Sequence, residues 1–196
     1  MVSRVGILGA VVSLAGCAAL TYLPPELGRP PTADERRIIE AFAPRVIAAA
    51  RHEGFACTEV VFVVSGHMPN DAIRHVRRPS PDPCAFYIQM SARFVRIDSP
   101  GALAGSLAHE LGHVINADAT PARARVPEID REREADRVAI RILKRLGTAE
   151  CLALAEHFRT IRAENLAGWG VEQRDTTDTH PSYTERIRTF EAECRS

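Results

Sequence analysis

Two histidines one helical turn apart restrict the fold of this chain more than any other feature of its 196-residue sequence. They begin and end the segment His109-Glu110-Leu111-Gly112-His113. A helix is predicted here because Ser99 can cap its start, Pro100 suits the first helical position, and leucines follow at helical spacing. Residues at positions i and i+4 share a helix face, so both imidazoles can bind one metal ion, with the glutamate beside them as a general base.

The next predicted helix can supply the third ligand that a catalytic zinc ion usually takes from the protein. Glu132 and Asp136 are four residues apart and share a face. Glu132 is the predicted ligand, and Asp136 is expected to accept the second ring N–H of one histidine. Glu134 faces elsewhere and is predicted to be a solvated charge. Asp118 and His180 are the next candidates for the third ligand, and the alternative to a ligand set is an exposed charged face, since arginines interleave the acids.

A third motif lies near the end of the chain, in the segment Thr179-His180-Pro181-Ser182-Tyr183-Thr184-Glu185-Arg186-Ile187. In their order, the three motifs resemble those of the M48 family of zinc metallopeptidases, over roughly residues 85 to 190. The resemblance implies a zincin-like (gluzincin) metallopeptidase domain. It also implies one Zn²⁺ per chain, bound by His109, His113 and Glu132.

The same resemblance implies roles for the residues around the metal. Glu110 would be the general base, and His180 would lie near the metal as an oxyanion stabiliser or as an inhibitory fourth ligand. Arg186 would brace the site. The chain departs from the family at Phe86-Tyr87-Ile88-Gln89, where an Asn-Ala-Phe-Ala-like substrate strand is usual, so substrate preference does not carry over. The strand from Phe86 to Met90 is nevertheless expected to pair with an extended substrate.

The function that these patterns predict is a zinc-dependent endopeptidase of the bacterial cell envelope. It would act on protein or peptide substrates, in protein quality control or in the maintenance of outer-membrane proteins. The 25 basic and 25 acidic residues balance, so the composition gives no support for nucleic-acid binding. The alternative is a non-proteolytic envelope lipoprotein that keeps the fold and serves as an assembly factor or binding module.

The N-terminal residues resemble a bacterial lipoprotein signal. Residues 1–16 combine a positive charge with a short apolar stretch, and Leu14-Ala15-Gly16-Cys17 matches a lipobox. We therefore expect cleavage before Cys17, a lipid on its thiol, and a proline-rich tether over residues 17–32. Ala18 replaces the aspartate that usually retains lipoproteins in the inner membrane, which favours an outer-membrane anchor facing the periplasm. An ordinary signal peptide is the alternative.

The four cysteines other than Cys17 form an even set, which suits disulfides in an oxidising compartment. Four cysteines allow three connectivities. Cys151 begins one predicted helix and Cys194 ends another, so antiparallel packing of these helices favours a Cys151–Cys194 bond and leaves Cys57–Cys84. Buried free thiols are the alternative reading of the same residues.

A single α+β domain, mainly helical with a small sheet, is predicted over residues 33–196. The predicted helices cover residues 32–53, 100–114, 128–146, 149–166 and 182–194. Strands are predicted over residues 59–64 and 86–97, the second with a break near residues 91–92, and a polar loop over residues 65–83. Four further histidines are predicted to be ordinary surface or structural residues: His52, His67, His75 and His157.

Overall fold

Five α-helices and a three-stranded sheet make up the described part of the chain, which is therefore an α+β protein. The computed structural model describes residues 27–68, 73–77, 82, 84, 86–96, 99–118, 120–172 and 179–196. The predicted signal peptide, the predicted lipid attachment at Cys17 and most of the predicted tether lie outside these residues. Within the described ranges, no helix is both long enough and apolar enough to cross a membrane.

The helices begin and end close to the predicted boundaries. They are α1 (Ala33–Arg51), α2 (Pro100–Ile115), α3 (Glu128–Leu146), α4 (Thr148–Trp169) and α5 (Tyr183–Cys194). Thr32 caps α1 in a capping box with Glu35, and the Ser99 side chain accepts a backbone hydrogen bond at the start of α2. Gly147, with a φ of 137°, separates α3 from α4. Capping side chains therefore mark the beginnings of α1 and α2, whereas α3 and α4 begin without a side-chain cap.

The sheet contains β1 (Val61–Ser65), β2 (Ile73–Arg77) and β3 (Phe86–Ser91). Its order is β1-β3-β2, with β1 parallel and β2 antiparallel to β3. Because β3 is paired on both sides and wholly buried, it has no free edge for a substrate. The expectation that residues 86–90 pair with an extended peptide is therefore wrong, because the edge strands of the sheet are β1 and β2.

Two other sequence expectations are also wrong. The region predicted as a polar loop contains β2, whose Ile-Arg-His-Val-Arg sequence is too polar to resemble a core strand but pairs with β3 along its length. The segment after β3 is a short 3₁₀-helix, Phe94–Arg96, and not a continued strand. The backbone N–H of Phe94 donates to the Ser91 hydroxyl, which turns the chain there.

The close contact between α2 and α3 depends on Gly112. A Cβ atom at this position would lie 2.7 Å from the Ala135 carbonyl oxygen on α3, well inside van der Waals contact. Without that atom, the backbones approach closely, and the polar face of α3 meets the histidine face of α2. Leu103, Leu107 and Leu111 pack into the core from other positions on α2, where they are almost completely buried. The helix thus holds a polar site against an apolar core.

Both predicted disulfides are present. Cys57 pairs with Cys84 at a Cα–Cα distance of 5.2 Å, and Cys151 pairs with Cys194 at 5.7 Å. The first links the segment before β1 to the segment before β3. The second links the beginning of α4 to the end of α5, so these two helices are antiparallel as the pairing requires.

Candidate metal centre

The two histidines of α2 face one buried space. The Nε2 atoms of His109 and His113 are 3.1 Å apart, and the rings are nearly perpendicular, at 88°. Both side chains are about nine-tenths buried. Since the residues are one helical turn apart, the helix itself brings these two nitrogens together.

A carboxylate stands behind each imidazole. Asp136 Oδ1 lies 2.9 Å from His109 Nδ1, and Asp118 Oδ2 lies 2.9 Å from His113 Nδ1. A carboxylate oxygen only accepts, so each Nδ1 carries the proton and each Nε2 of a neutral ring presents a lone pair. Asp136 is in its predicted position, whereas Asp118, a reserve candidate for the third ligand, contacts the far nitrogen of a histidine.

Glu132 on α3 closes the third side of this space. Its Oε2 is 3.1 Å from His109 Nε2, and its Oε1 is 3.2 Å from His113 Nε2. One ligand atom from each of the three residues lies within 4.8 Å of the others. Glu132 Oε2 is buried and has no hydrogen-bond partner. A cation between the three side chains would satisfy this oxygen and both lone pairs, so the donor set fits a metal ion.

The pKa shifts of the cluster also indicate that its carboxylates favour a positive charge between them. Burial alone would lower the pKa of the His113 imidazole, but hydrogen bonds to Asp118 and Glu132 raise this pKa to about 10. Burial would likewise raise the pKa of Glu132, but the two histidines hold it well below its usual range. Protons and a metal ion would therefore compete for the same buried carboxylate-imidazole group.

Arg186 on α5 neutralises Asp136. Its Nη2 donates to Asp136 Oδ1 at 2.6 Å, and its Nε donates to Oδ2 at 2.9 Å. The guanidinium also lies over the Phe158 ring, 4.2 Å from its centre. Burial alone would raise the pKa of Asp136, but Arg186 and His109 lower it, so Asp136 stays ionised behind the histidine. Arg186, which was expected to brace the site, therefore contacts the carboxylate behind His109.

Glu110 lies beside the cluster and is held by His75 of β2. The backbone N–H of His75 donates to Glu110 Oε2 at 2.8 Å, and His75 Nδ1 lies 3.0 Å from the same oxygen. The His75 ring also stacks on His113, with centroids 5.2 Å apart. Both described hydrogen bonds of the Glu110 carboxylate thus engage Oε2, and none among the described residues engages Oε1. The interpretation of His75 as an ordinary residue missed this contact.

His180 lies at the mouth of the site. Its Nε2 is 3.8 Å from Glu132 Oε1, and its side chain is 38% exposed. Its Nδ1 is 3.1 Å from the Thr179 hydroxyl, which orients the ring. The residue is thus near enough to act on a group bound at the cluster.

Glu134 faces away from the metal cluster, as predicted, but it is not simply a solvated charge. It pairs with Arg123, whose Nε donates to Asp118 Oδ1 at 2.9 Å. A chain of ionic contacts therefore runs from Glu134 through Arg123 and Asp118 to His113. The contact was not predicted, because Arg123 begins a short 3₁₀-helix between α2 and α3 that the sequence patterns did not indicate.

Two cavities flank the cluster. One of about 170 Å³ lies on the His109 side, and its walls include apolar residues of β2 and α4: Ile73, Leu154, Phe158 and Ile161. The other, of about 270 Å³, lies on the His113 side and is mainly polar. His109, Glu110 and His180 border both cavities, so together these form a cleft that passes across the cluster.

The chain was compared with protein-family models, with curated proteins and with solved structures. None of these three comparisons found a match.

Proposed function

We propose that this protein is a zinc-dependent endopeptidase whose active site is the cleft around His109, His113 and Glu132. The observation that carries the proposal is a buried His₂Glu cluster with a separate carboxylate, Glu110, beside it on the same helix. Catalytic zinc sites use three protein ligands and keep one position open, whereas structural sites use four. Three ligands next to an open cleft favour the catalytic type.

The arrangement of elements supports a zincin-like domain similar to the M48 peptidases. One helix carries both histidines, the following helix carries the third ligand, and α5 carries the arginine that holds Asp136. The three motifs also follow one another in the order typical of that family. The proposal thus draws on both the motif order and the contacts between helices.

Each residue of the cleft has a defined task in peptide hydrolysis. A divalent cation, when bound, supplies Lewis acidity that polarises the peptide carbonyl and makes water more acidic. Glu110 accepts a proton from the attacking water at Oε1 and passes it to the leaving amine nitrogen. His180 donates a hydrogen bond from Nε2 to the developing oxyanion. Asp136 and Asp118 keep the two histidine rings in the required tautomer and orientation.

The edge strand β2 is the proposed surface for an extended substrate. It pairs with β3 on one side, and within the described residues no strand covers its other side. The His75 backbone contact with Glu110 shows that this strand runs directly past the site. Peptide backbones bind to such edges through main-chain hydrogen bonds, which would place a scissile bond across the cleft.

We further propose that the enzyme is a lipoprotein of the bacterial cell envelope, anchored through Cys17 and facing the periplasm from the outer membrane. The lipobox at residues 14–17 supports the anchor, and the two disulfides suit an oxidising compartment. Quality control of envelope proteins, or maintenance of outer-membrane proteins, is the role that fits this location.

The test compares the wild type with Glu110→Gln. The amide cannot accept the proton, so cleavage of casein or a peptide should fall by about 10²–10⁴-fold, while metal analysis still finds one zinc per chain. Glu40→Gln, an exposed change on α1, is the control and should keep full activity. A zinc-loaded wild type that cleaves nothing, or a Glu110→Gln variant that cleaves normally, would contradict the proposal. The first result would favour an assembly factor or binding module.

A further inference from the structure

The larger cavity of the cleft contains an arginine without an acidic partner. Arg131 lines this cavity of about 270 Å³ beside His113, and so does Arg74 of β2. Arg131 precedes Glu132 on α3, so the side chain starts one residue from the cluster. A cation in this position can reach a group bound next to the proposed metal.

Three other arginines around the cluster are neutralised by carboxylates. Arg123 pairs with Asp118 and Glu134, Arg133 pairs with Asp130 and Glu185, and Arg186 pairs with Asp136. For Arg131, in contrast, the described residues offer no carboxylate within 4.0 Å, and its buried Nε has no hydrogen-bond partner. A buried donor without a partner is costly, and a ligand in the adjoining cavity would give the guanidinium of Arg131 a partner.

The acidic residues that line this cavity either contact a histidine or lie too far from Arg131 to form an ion pair. Asp118 and Glu132 contact the histidines, and Glu110 contacts His75. Glu128 is exposed in the first turn of α3 and does not reach Arg131 within ion-pair distance in the described structure. Arg74 donates to the Gln89 amide oxygen at 2.6 Å, and not to a carboxylate, so a second positive charge remains in the cavity.

We propose that this cavity binds a carboxylate of the substrate, with Arg131 as the recognition residue. The inference rests on the proposed peptidase function and narrows its substrates to peptides with an anionic group on the His113 side of the scissile bond. A planar guanidinium binds a carboxylate through two parallel hydrogen bonds, which gives both affinity and orientation. The carboxylate belongs either to an aspartate or glutamate side chain or to the C-terminus of the substrate.

Peptide binding tests the inference without depending on turnover. The experiment measures the binding of fluorescent peptides to the zinc-loaded full chain that carries Glu110→Gln. In one peptide series, glutamate replaces glutamine at successive positions. In the other, a C-terminal acid replaces a C-terminal amide. We expect one carboxylate to strengthen binding about tenfold, consistent with a charge-assisted pair. A gain from glutamate identifies a side chain as the source, and a gain from the free acid identifies the C-terminus.

Variants assign the effect to Arg131. Each substitution is made in the Glu110→Gln parent. Arg131→Gln should remove the preference for the acidic peptide, and Arg131→Lys should keep part of it. Glu128→Gln should increase the preference, because it removes a negative charge from the same cavity. Arg137→Gln removes an exposed charge from the same helix and should change nothing. Three results would overturn the inference. The parent could bind acidic and neutral peptides equally, it could bind neither, or Arg131→Gln could keep the preference unchanged. Casein cleavage by the wild type decides the peptidase proposal separately.

Discussion

At the scale of single residues, the carboxylate of Glu110 is fixed by a residue 35 positions earlier in the chain. His75 supplies both a backbone and a ring nitrogen to Glu110 Oε2. Burial alone would raise the pKa of Glu110, but this hydrogen bond and the neighbouring imidazoles lower it. We therefore expect His75 to position the proposed general base in its ionised form, and to do so without binding the proposed metal ion.

Substitution of His75 should change turnover more than substrate binding. His75→Phe keeps a ring against His113 but removes the Nδ1 donor, so kcat should fall about tenfold, with KM and zinc content unchanged. His75→Asn restores a nitrogen donor near the same position and should recover most of the loss. Steady-state kinetics on one peptide, with metal analysis of each variant, measures these effects. Equal kcat values in the wild type and His75→Phe would exclude the positioning role.

At the scale of elements, local signals identified the helices better than the sheet. Capping residues and leucine spacing predict α2, and the spacing of Glu132 and Asp136 predicts which face of α3 contacts the histidines. The contact between those faces depends on Gly112, whose missing side chain matters only once two helices are adjacent. β2 could not be predicted, because its charged residues are stabilised by pairing with β3 and by the contact between His75 and Glu110.

The beginning of α1 provides an electrostatic test of the fold. Glu35 accepts hydrogen bonds from Arg29 at 2.6 and 2.9 Å and from the Thr32 backbone N–H at 2.8 Å. The hydrogen bond from Arg29 is the largest cause that lowers the Glu35 pKa from 4.5 to about 2. Because the folded pKa is below the unfolded one, this stabilisation is complete above pH 4.5 and is lost as the pH falls towards 2.

Thermal unfolding of Glu35→Gln should show this dependence. The amide keeps an oxygen for the Thr32 backbone N–H but loses the charge, so at pH 7 the variant should melt about 3 °C below the wild type once solvent screening is allowed for. The difference should shrink steadily below pH 4.5. Melting curves at several pH values measure it. A difference that stays constant down to pH 2.5 would show that the Arg29 ion pair does not stabilise the fold.

At the scale of the whole molecule, two features depend on chain segments far apart in sequence. The disulfides span 27 and 43 residues. The Cys151–Cys194 bond was predictable because it joins the beginning of α4 to the end of the antiparallel helix α5, and the other bond then joins the two remaining cysteines. The site was predictable in part, since two of the short motifs carry the candidate metal ligands and Asp136. The contact of His75 with Glu110 and the position of Arg131 in the cavity were not, because both depend on packing between elements. The contact of Asp118 with His113 depends on the turn that ends α2.

The proposed anchor makes a separate prediction about the N-terminus. Cys17→Ser removes the thiol that would carry the lipid, so the precursor should remain uncleaved or the protein should become soluble. Ala18→Asp keeps the thiol and should leave the lipid in place while moving the protein to the inner membrane. Intact mass spectrometry and membrane fractionation measure both effects. A wild-type protein whose mature N-terminus is unmodified and is not Cys17 would exclude the lipoprotein assignment.

The most direct test of the metal centre is the zinc content of three variants of α3, measured together with peptide cleavage. Glu132→Ala leaves two histidines and should lose both zinc and activity. Asp136→Ala should weaken metal binding or activity by about 10–100-fold, since Asp136 only holds a histidine ring. Glu134→Ala should keep one zinc per chain and activity near that of the wild type. Full zinc in Glu132→Ala with loss in Glu134→Ala would contradict the proposed centre, and full zinc in all three would place the third ligand elsewhere.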